Sequence, residues 1–377
     1  MAGRIMNRDR TGVFAGRTTK VNRAIMATTA SATLLVALAA CTASSGESST
    51  VGDSESDVVL TWQTTGGPAT EKEKEAFQDP YTAESGVTFE NVSSPTAVNQ
   101  VTTMVETGNV IWDIVHIGSY VSEQYCGELF EEIEYPEVDD SLYPEGSVNA
   151  CAKPISKFAY AFAYNASIYT DEVPTKIDDF FDIERFPGNR VVNGNNPRGL
   201  IEAALVADGV DPDELFPLDV ERALAKLDTI KEHLIFAPTL TALQQNIVDE
   251  QAAMTITLTG RLGSIYDSGA DLAPVWDFTT WDFDALLIPK GSPNVDAARE
   301  AILFAMQPEQ SIRYAEVGGT TPVRSDIDIT TIDYSDTHRL FQPFLNADQG
   351  TLVLQNPQWW AENSATTNEA YVAWQVG

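Results

Sequence analysis

The sequence predicts an α/β fold, on three observations. Short apolar runs of strand length alternate with stretches whose apolar residues recur at helical spacing. In the first third of the chain, strand, helix, strand, helix and strand follow at the pitch of a parallel sheet with crossover helices. The chain has 377 residues, more than a single core usually organises, so two lobes are expected.

Val58 to Trp62 reads as a buried strand, followed by the turn Thr64-Thr65-Gly66-Gly67. Lys72 to Glu84 leans towards helix, with Pro80 expected to break or kink it. Val87 to Phe89 is a second strand, and Val98, Val101, Met104 and Val105 mark a helix that Gly108-Asn109 stops. Ile111 to Val115 is a third strand, and Gly118-Ser119-Tyr120 opens the next helix. Further on, strands are expected at 158–164, 191–193, 252–258 and 285–288. Helices are expected at 177–181, 200–208, 220–234, 262–268 and 297–306, with another around Trp359-Trp360.

The N-terminus reads as an export signal. Arg4, Arg8, Arg10, Arg17, Lys20 and Arg23 form a basic leader, and residues 24–40 are apolar but too short and interrupted to span a bilayer. Leu38-Ala39-Ala40-Cys41 resembles the bacterial lipobox, which implies cleavage after residue 40 and lipid on Cys41. Residues 41–56 are Ser, Gly, Asp and Glu with almost nothing apolar, the composition of a flexible tether. The expected location is the outer face of the cytoplasmic membrane. Once Cys41 is set aside, Cys126 and Cys151 remain as an even pair in an exported chain, which suggests a disulfide; two buried thiols are the alternative.

Net charge is −32, and −37 after residue 40 is cleaved, which disfavours nucleic acid and extended anionic surfaces. There is no phosphate-binding glycine loop, dinucleotide fingerprint, zinc-protease helix or nucleophile elbow, and His116, His233 and His338 show no metal spacing. No cofactor or metal is expected. Candidate ligand contacts are loop positions at the carboxyl ends of strands, where open α/β sheets bind ligands. They are Trp62, Thr65, Gly66, Gly67, Ser119, Tyr120, Asn195, Thr259, Arg261 and Asp284. Asp284 suits an amine, and Arg261 a carboxylate or phosphate. For Trp62, core packing and ligand stacking stand level. For Arg261, pairing with a protein carboxylate is favoured over ligand contact.

Several stretches together resemble one family. They are Phe186-Pro187-Gly188-Asn189-Arg190, Asn195-Asn196-Pro197-Arg198-Gly199, Leu215-Phe216-Pro217-Leu218, Gly260-Arg261 and Ile288-Pro289-Lys290-Gly291-Ser292-Pro293-Asn294. The chain from about residue 57 resembles bacterial extracellular solute-binding lipoproteins of ABC importers, in the spermidine/putrescine-binding branch. That resemblance implies a type II periplasmic-binding-protein fold, with two α/β lobes and an interlobe ligand cleft. It assigns 57–160 plus 286–345 to lobe 1, and 161–285 plus 346–377 to lobe 2. The implied partners are a small polar, amine-bearing solute and a membrane permease; the implied state is a monomer, and the chain is not an enzyme. A lipid-anchored hydrolase and a sensor for a membrane receptor are the competing readings. In polyamine binders an aspartate before the Ile-Pro turn grips an amine, which Asp284 matches. They also carry carboxylates where this chain has Asn195-Asn196-Pro197-Arg198, and Trp-Asn where it has Leu258-Thr259.

Overall fold

The structure, a computed structural model, describes residues 58–64, 66, 68–94, 97–144 and 147–377. The export signal, Cys41, the tether, Thr65 and Gly67 lie outside the described residues. Nine strands form one sheet among them: β1 Val59–Thr64, β2 Thr88–Ser93, β3 Ile114–Gly118, β4 Pro154–Asn165, β5 Arg190–Asn193, β6 Leu234–Ala237, β7 Met254–Leu258, β8 Leu272–Leu287 and β9 Thr351–Leu354. Their order is β2-β1-β3-β8-β4-β7-β5-β6, with β9 added to β8.

The parallel pairing expected for the first third of the chain is present, within a sheet that is mixed as a whole. β1 runs parallel to β2 and β3, and β5 parallel to β6 and β7, as crossover helices require. Between these two groups stand the long strands β4 and β8, antiparallel to each other and to β7 and β3 respectively, while β9 joins β8 in parallel. They turn a parallel pattern into a mixed sheet, and each belongs to both halves. The halves keep separate cores. One gathers Leu60, Trp62, Phe77, Ile114, Ile302 and Met306; the other gathers Phe162, Phe180, Phe186, Leu205, Trp360 and Tyr371.

Local sequence explains most elements. Pro80 does not break its helix. The chain runs from helix Pro68–Glu73 through a π-helical stretch, Lys74–Gln78, into helix Asp79–Ser85. A widened turn before Pro80 removes the clash between its ring and the preceding carbonyls. It also turns Glu73, Phe77 and Gln78 inward. The long helix expected at 220–234 instead ends at Asp228, and Leu234 begins β6. Helices Leu240–Val248 and Pro308–Gly318 are additional to those expected, and the strand expected at 285–288 is the end of the much longer β8.

Cys126 and Cys151 are joined in a disulfide, with Cα atoms 5.6 Å apart and a sequence separation of 25. Closing a loop of that length should contribute about 3 kcal/mol. Urea unfolding of Cys151→Ala should show a loss of that order with an unchanged fold. A variant as stable as the parent would contradict it.

Candidate ligand-binding site

Residue alternation along β8 builds the floor of the site. Thr280, Asp282 and Asp284 share one face of the strand. Their register partners complete the floor: Tyr160 opposite Thr280, Phe158 opposite Asp282, and Ser156 and Gly118 on either side of Asp284. Leu258 at the end of β7 stands beside Tyr160. The turn after β5 and the helix Ser119–Tyr125 after β3 close over this face from opposite halves.

Arg198, from the turn after β5, reaches across the floor to a charge-assisted hydrogen bond with Asp282. Both are buried, Arg198 at 5% and Asp282 at 0% exposure. Ser119 Oγ donates to Asp282 Oδ1 at 3.0 Å and the Phe283 N–H at 2.8 Å. The guanidinium carbon lies 4.5 Å from the Tyr120 ring centre and 5.2 Å from that of Trp360. One cation is thus held by a carboxylate and by aromatic faces from the helix after β3 and the C-terminal helix. Gly199 makes the approach possible: its φ is +79°, and an added Cβ would fall 2.5 Å from Tyr160 Cβ. Behind it, buried Glu202 accepts from Gly199 N–H at 2.8 Å, Gln355 Nε2 at 2.8 Å and Trp360 Nε1 at 3.1 Å. Burial holds the Glu202 carboxyl above its ordinary pKa against these bonds.

A second chain of polar groups ends at Asp284. Trp62 Nε1 donates to Glu73 Oε2 at 2.7 Å, and Glu73 Oε1 meets His116 Nδ1 at 2.8 Å. His116 Nε2 faces Asp284 Oδ2 at 3.7 Å, outside hydrogen-bond range. Burial works against a charged imidazole, but Glu73, with help from Asp284, outweighs it and raises the His116 pKa to about 9. Burial pushes Asp284 up to about 6, and His116 only partly offsets this. Asp284 is 26% exposed, the open end of an otherwise enclosed relay. Among Glu73, His116, Asp284, Arg198 and Asp282, three carboxylates stand against two cations, and Glu202 is a fourth acidic group, behind Arg198.

Ser119, Tyr120 and Asp284 come together on this floor. Trp62 does not join them. It is 0% exposed, packed between Phe77 and Phe89, because alternation along β1 turns it into the core. Its role is to hold Glu73. Asn195 is exposed at the turn edge and donates through Nδ2 to Pro238 O at 2.8 Å. Gly66 caps β1, its N–H on Thr64 Oγ1 at 2.9 Å. Thr259 and Arg261 lie in the first turn of the helix Thr259–Asp267, and Thr259 lines a different hollow, with Lys72. The favoured pairing of Arg261 with a carboxylate is overturned: it donates to Gln244 Oε1 at 3.2 Å, and no carboxylate lies within salt-bridge range among the described residues. Sequence reasoning missed Glu73, Glu202 and Trp360; Arg198 and Asp282 lay in stretches it singled out without being named as contacts. The period-two spacing of Asp282 and Asp284 was the available signal. Among the described residues no cluster suits a metal ion, and no helix is long and apolar enough to cross a membrane.

The His116 shift has a definite sign. Stability from the raised pKa is fully present below 6.5 and lost as pH rises through about 9. The loss should reach roughly 3 kcal/mol. Denaturation from pH 7 to 10 should show a steeper decline for the parent than for His116→Gln; parallel curves would contradict the relay.

Comparison with known proteins identifies the family. The family model described as "Bacterial extracellular solute-binding protein" matches residues 76–341. The gamma-aminobutyric acid-binding protein of Pseudomonas aeruginosa is 27% identical over 258 residues, 67% of this chain and 73% of that protein. The structure titled Atu4243-GABA receptor superposes with a TM-score of 0.74 at 27% identity, covering 84% of this chain and 97% of its own. The PBP MotA from A. tumefaciens B6, in complex with glucopine, gives a TM-score of 0.74 at 26% identity, covering 85% of this chain and 100% of its own. The chain therefore belongs to the bacterial extracellular solute-binding protein family, whose members bind rather than transform small molecules, and it is the substrate-binding component of an ABC import system that works with a membrane permease.

Proposed function

We propose that the protein captures a small solute bearing a single ammonium group, with Asp284 as the amine anchor. The observation that carries this reading is the half-paired state of Asp284: a carboxylate at the floor, partly exposed, facing His116 at a distance too long for a hydrogen bond. The other carboxylates there are committed, Asp282 to Arg198 and Glu73 to His116 and Trp62. A long polyamine needs a carboxylate at each end, because a buried unpaired ammonium is costly. One open carboxylate, Asp284, suits one ammonium. Relatives named for gamma-aminobutyric acid and glucopine point the same way, towards polar solutes rather than linear polyamines.

Capture would proceed by closure of the assigned lobes, 57–160 plus 286–345 and 161–285 plus 346–377, about β4 and β8. Residues contributed by both halves surround Arg198, so the ligand-bound form would be the closed one. The reading includes a monomer held at the outer face of the membrane through lipid on Cys41.

Calorimetric titration with 4-aminobutanoate tests the anchor. Asp284→Asn should weaken binding tenfold or more, as expected for a charged hydrogen bond of about 1.5–3 kcal/mol. Affinity should be flat between pH 7 and 8, and fall about tenfold per unit below 6 as Asp284 takes up a proton. Equal binding by variant and parent, or affinity constant down to pH 5, would remove Asp284 from the site.

A further inference from the structure

Two buried polar atoms beside Asp284 have no hydrogen-bond partner among the described residues. One is His116 Nε2, which faces the carboxylate at 3.7 Å. The other is Ser156 Oγ, on a residue only 1% exposed. Ser156 stands directly opposite Asp284 in the β4–β8 ladder. Residues opposed in this way share a face and hold their Cβ atoms about 4.5–5.5 Å apart. On the other flank Gly118 offers no side chain, and a Cβ there would meet the Tyr120 ring at 3.2 Å. The register slips between Pro154 and Ser156, which leaves Ile155 as an extra residue on β4. That count is a β-bulge, a device that bends a strand and re-aims its side chains. A buried hydroxyl without a partner is costly, and alanine would fill the same place without that cost. The hydroxyl therefore points to a polar group arriving from outside.

The two atoms differ in what they can offer. His116 directs Nδ1 to Glu73, and its pKa of about 9 keeps the ring protonated at neutral pH. Nε2 then carries a proton and can only donate, so it serves Asp284 and not an ammonium. Ser156 Oγ can accept. An ammonium lying between Asp284 and Ser156 would donate one N–H to each. A cation without N–H groups would need aromatic faces instead. Tyr120, Trp360 and Phe158 already turn theirs to Arg198, with ring centres 4.5, 5.2 and 5.9 Å from its guanidinium carbon.

We propose that Ser156 is the second acceptor for the ammonium that Asp284 anchors, so that the site selects an ammonium with at least two N–H groups over N-methylated cations. This rests on the amine reading above and goes beyond it by naming the residue that distinguishes one N–H from two. Ser156 acts on ligand choice and not on the fold, because its hydroxyl has no protein partner to lose.

Titration of the full chain at pH 7.5 with 4-aminobutanoate and with 4-(dimethylamino)butanoate tests this. Both are cations at that end, but the second keeps a single N–H, which Asp284 would take. The parent should bind the primary amine at least tenfold more tightly. Ser156→Ala should weaken 4-aminobutanoate about tenfold, leave the dimethyl compound unchanged, and melt no lower than the parent without ligand. Ser156→Cys keeps the shape with a poorer acceptor and should lose most of the same preference; it carries the comparison if the alanine variant does not fold. Parent affinities that do not fall on dimethylation, or no measurable binding of 4-aminobutanoate, would overturn the proposal. So would a preference undiminished in the folded variants, or one in which both compounds weaken equally. Asp284→Asn separates the two readings. If it weakens both compounds while Ser156→Ala changes neither, the anchor stands and the role of Ser156 fails. If it changes neither while Ser156→Ala still removes the preference, the anchor fails and Ser156 remains the residue that reads the ammonium.

Discussion

The contact between Arg198 and Asp282 is the constraint around which the candidate site is arranged. A buried guanidinium must keep its carboxylate, because removing one partner of such a pair typically destabilises a protein by about 3–5 kcal/mol. To satisfy it, four separate pieces of chain are fixed in place. β8 supplies Asp282, the turn after β5 supplies Arg198, Ser119 adds a hydroxyl, and the C-terminal helix Pro357–Val376 adds Trp360. Gly199 allows the turn to rest on Tyr160, and Glu202 gathers the loose donors behind it. Such a pair adds little net stability over a well-packed apolar alternative. Its effect is positional: it ties the two halves of the sheet at the place where a ligand would lie.

The pair also decides the electrostatics of the site. With Asp282 neutralised internally, the remaining charge belongs to the relay from Trp62 through Glu73 and His116 to Asp284. The 3.7 Å gap to Asp284 leaves that carboxylate half satisfied, and burial raises its pKa to about 6. An ammonium from outside would supply the missing donor. In the proposed reading, specificity for charge would come from which carboxylates are already occupied rather than from how many are present, which matters in a chain as acidic as this one.

Much of the fold was legible because each half follows simple periodicity: β1, β2, β3 and their helices are written in apolar runs that local sequence does not contradict. The long central strands were harder. β8 contains Pro274, mixes aspartates and threonines with aromatic residues from Asp277 to Asp284, and shifts register with β4 between Ala161 and Phe162, so no uniform alternation marks its length. For the site, Ser119 and Tyr120 were found because they follow the end of β3, and Asp284 because it matches the aspartate before the Ile-Pro turn. Trp62 was ambiguous, since a tryptophan at a strand end packs inward as readily as outward. Glu73 carried no local signal; its meaning comes from His116, 43 residues away in sequence. Arg198 lay within a motif already singled out, but its partner is 84 residues distant, and only the fold brings them together.

The central claim is that the site reads ligand charge through one open carboxylate. The most direct test is titration of the parent protein at pH 7.5 with three four-carbon compounds that differ only in their end groups: 1,4-diaminobutane, 4-aminobutanoate and succinate. The account requires 4-aminobutanoate to bind most tightly, the diamine more weakly and the diacid weakest of all. Succinate binding as tightly as the amine-bearing compounds would contradict it.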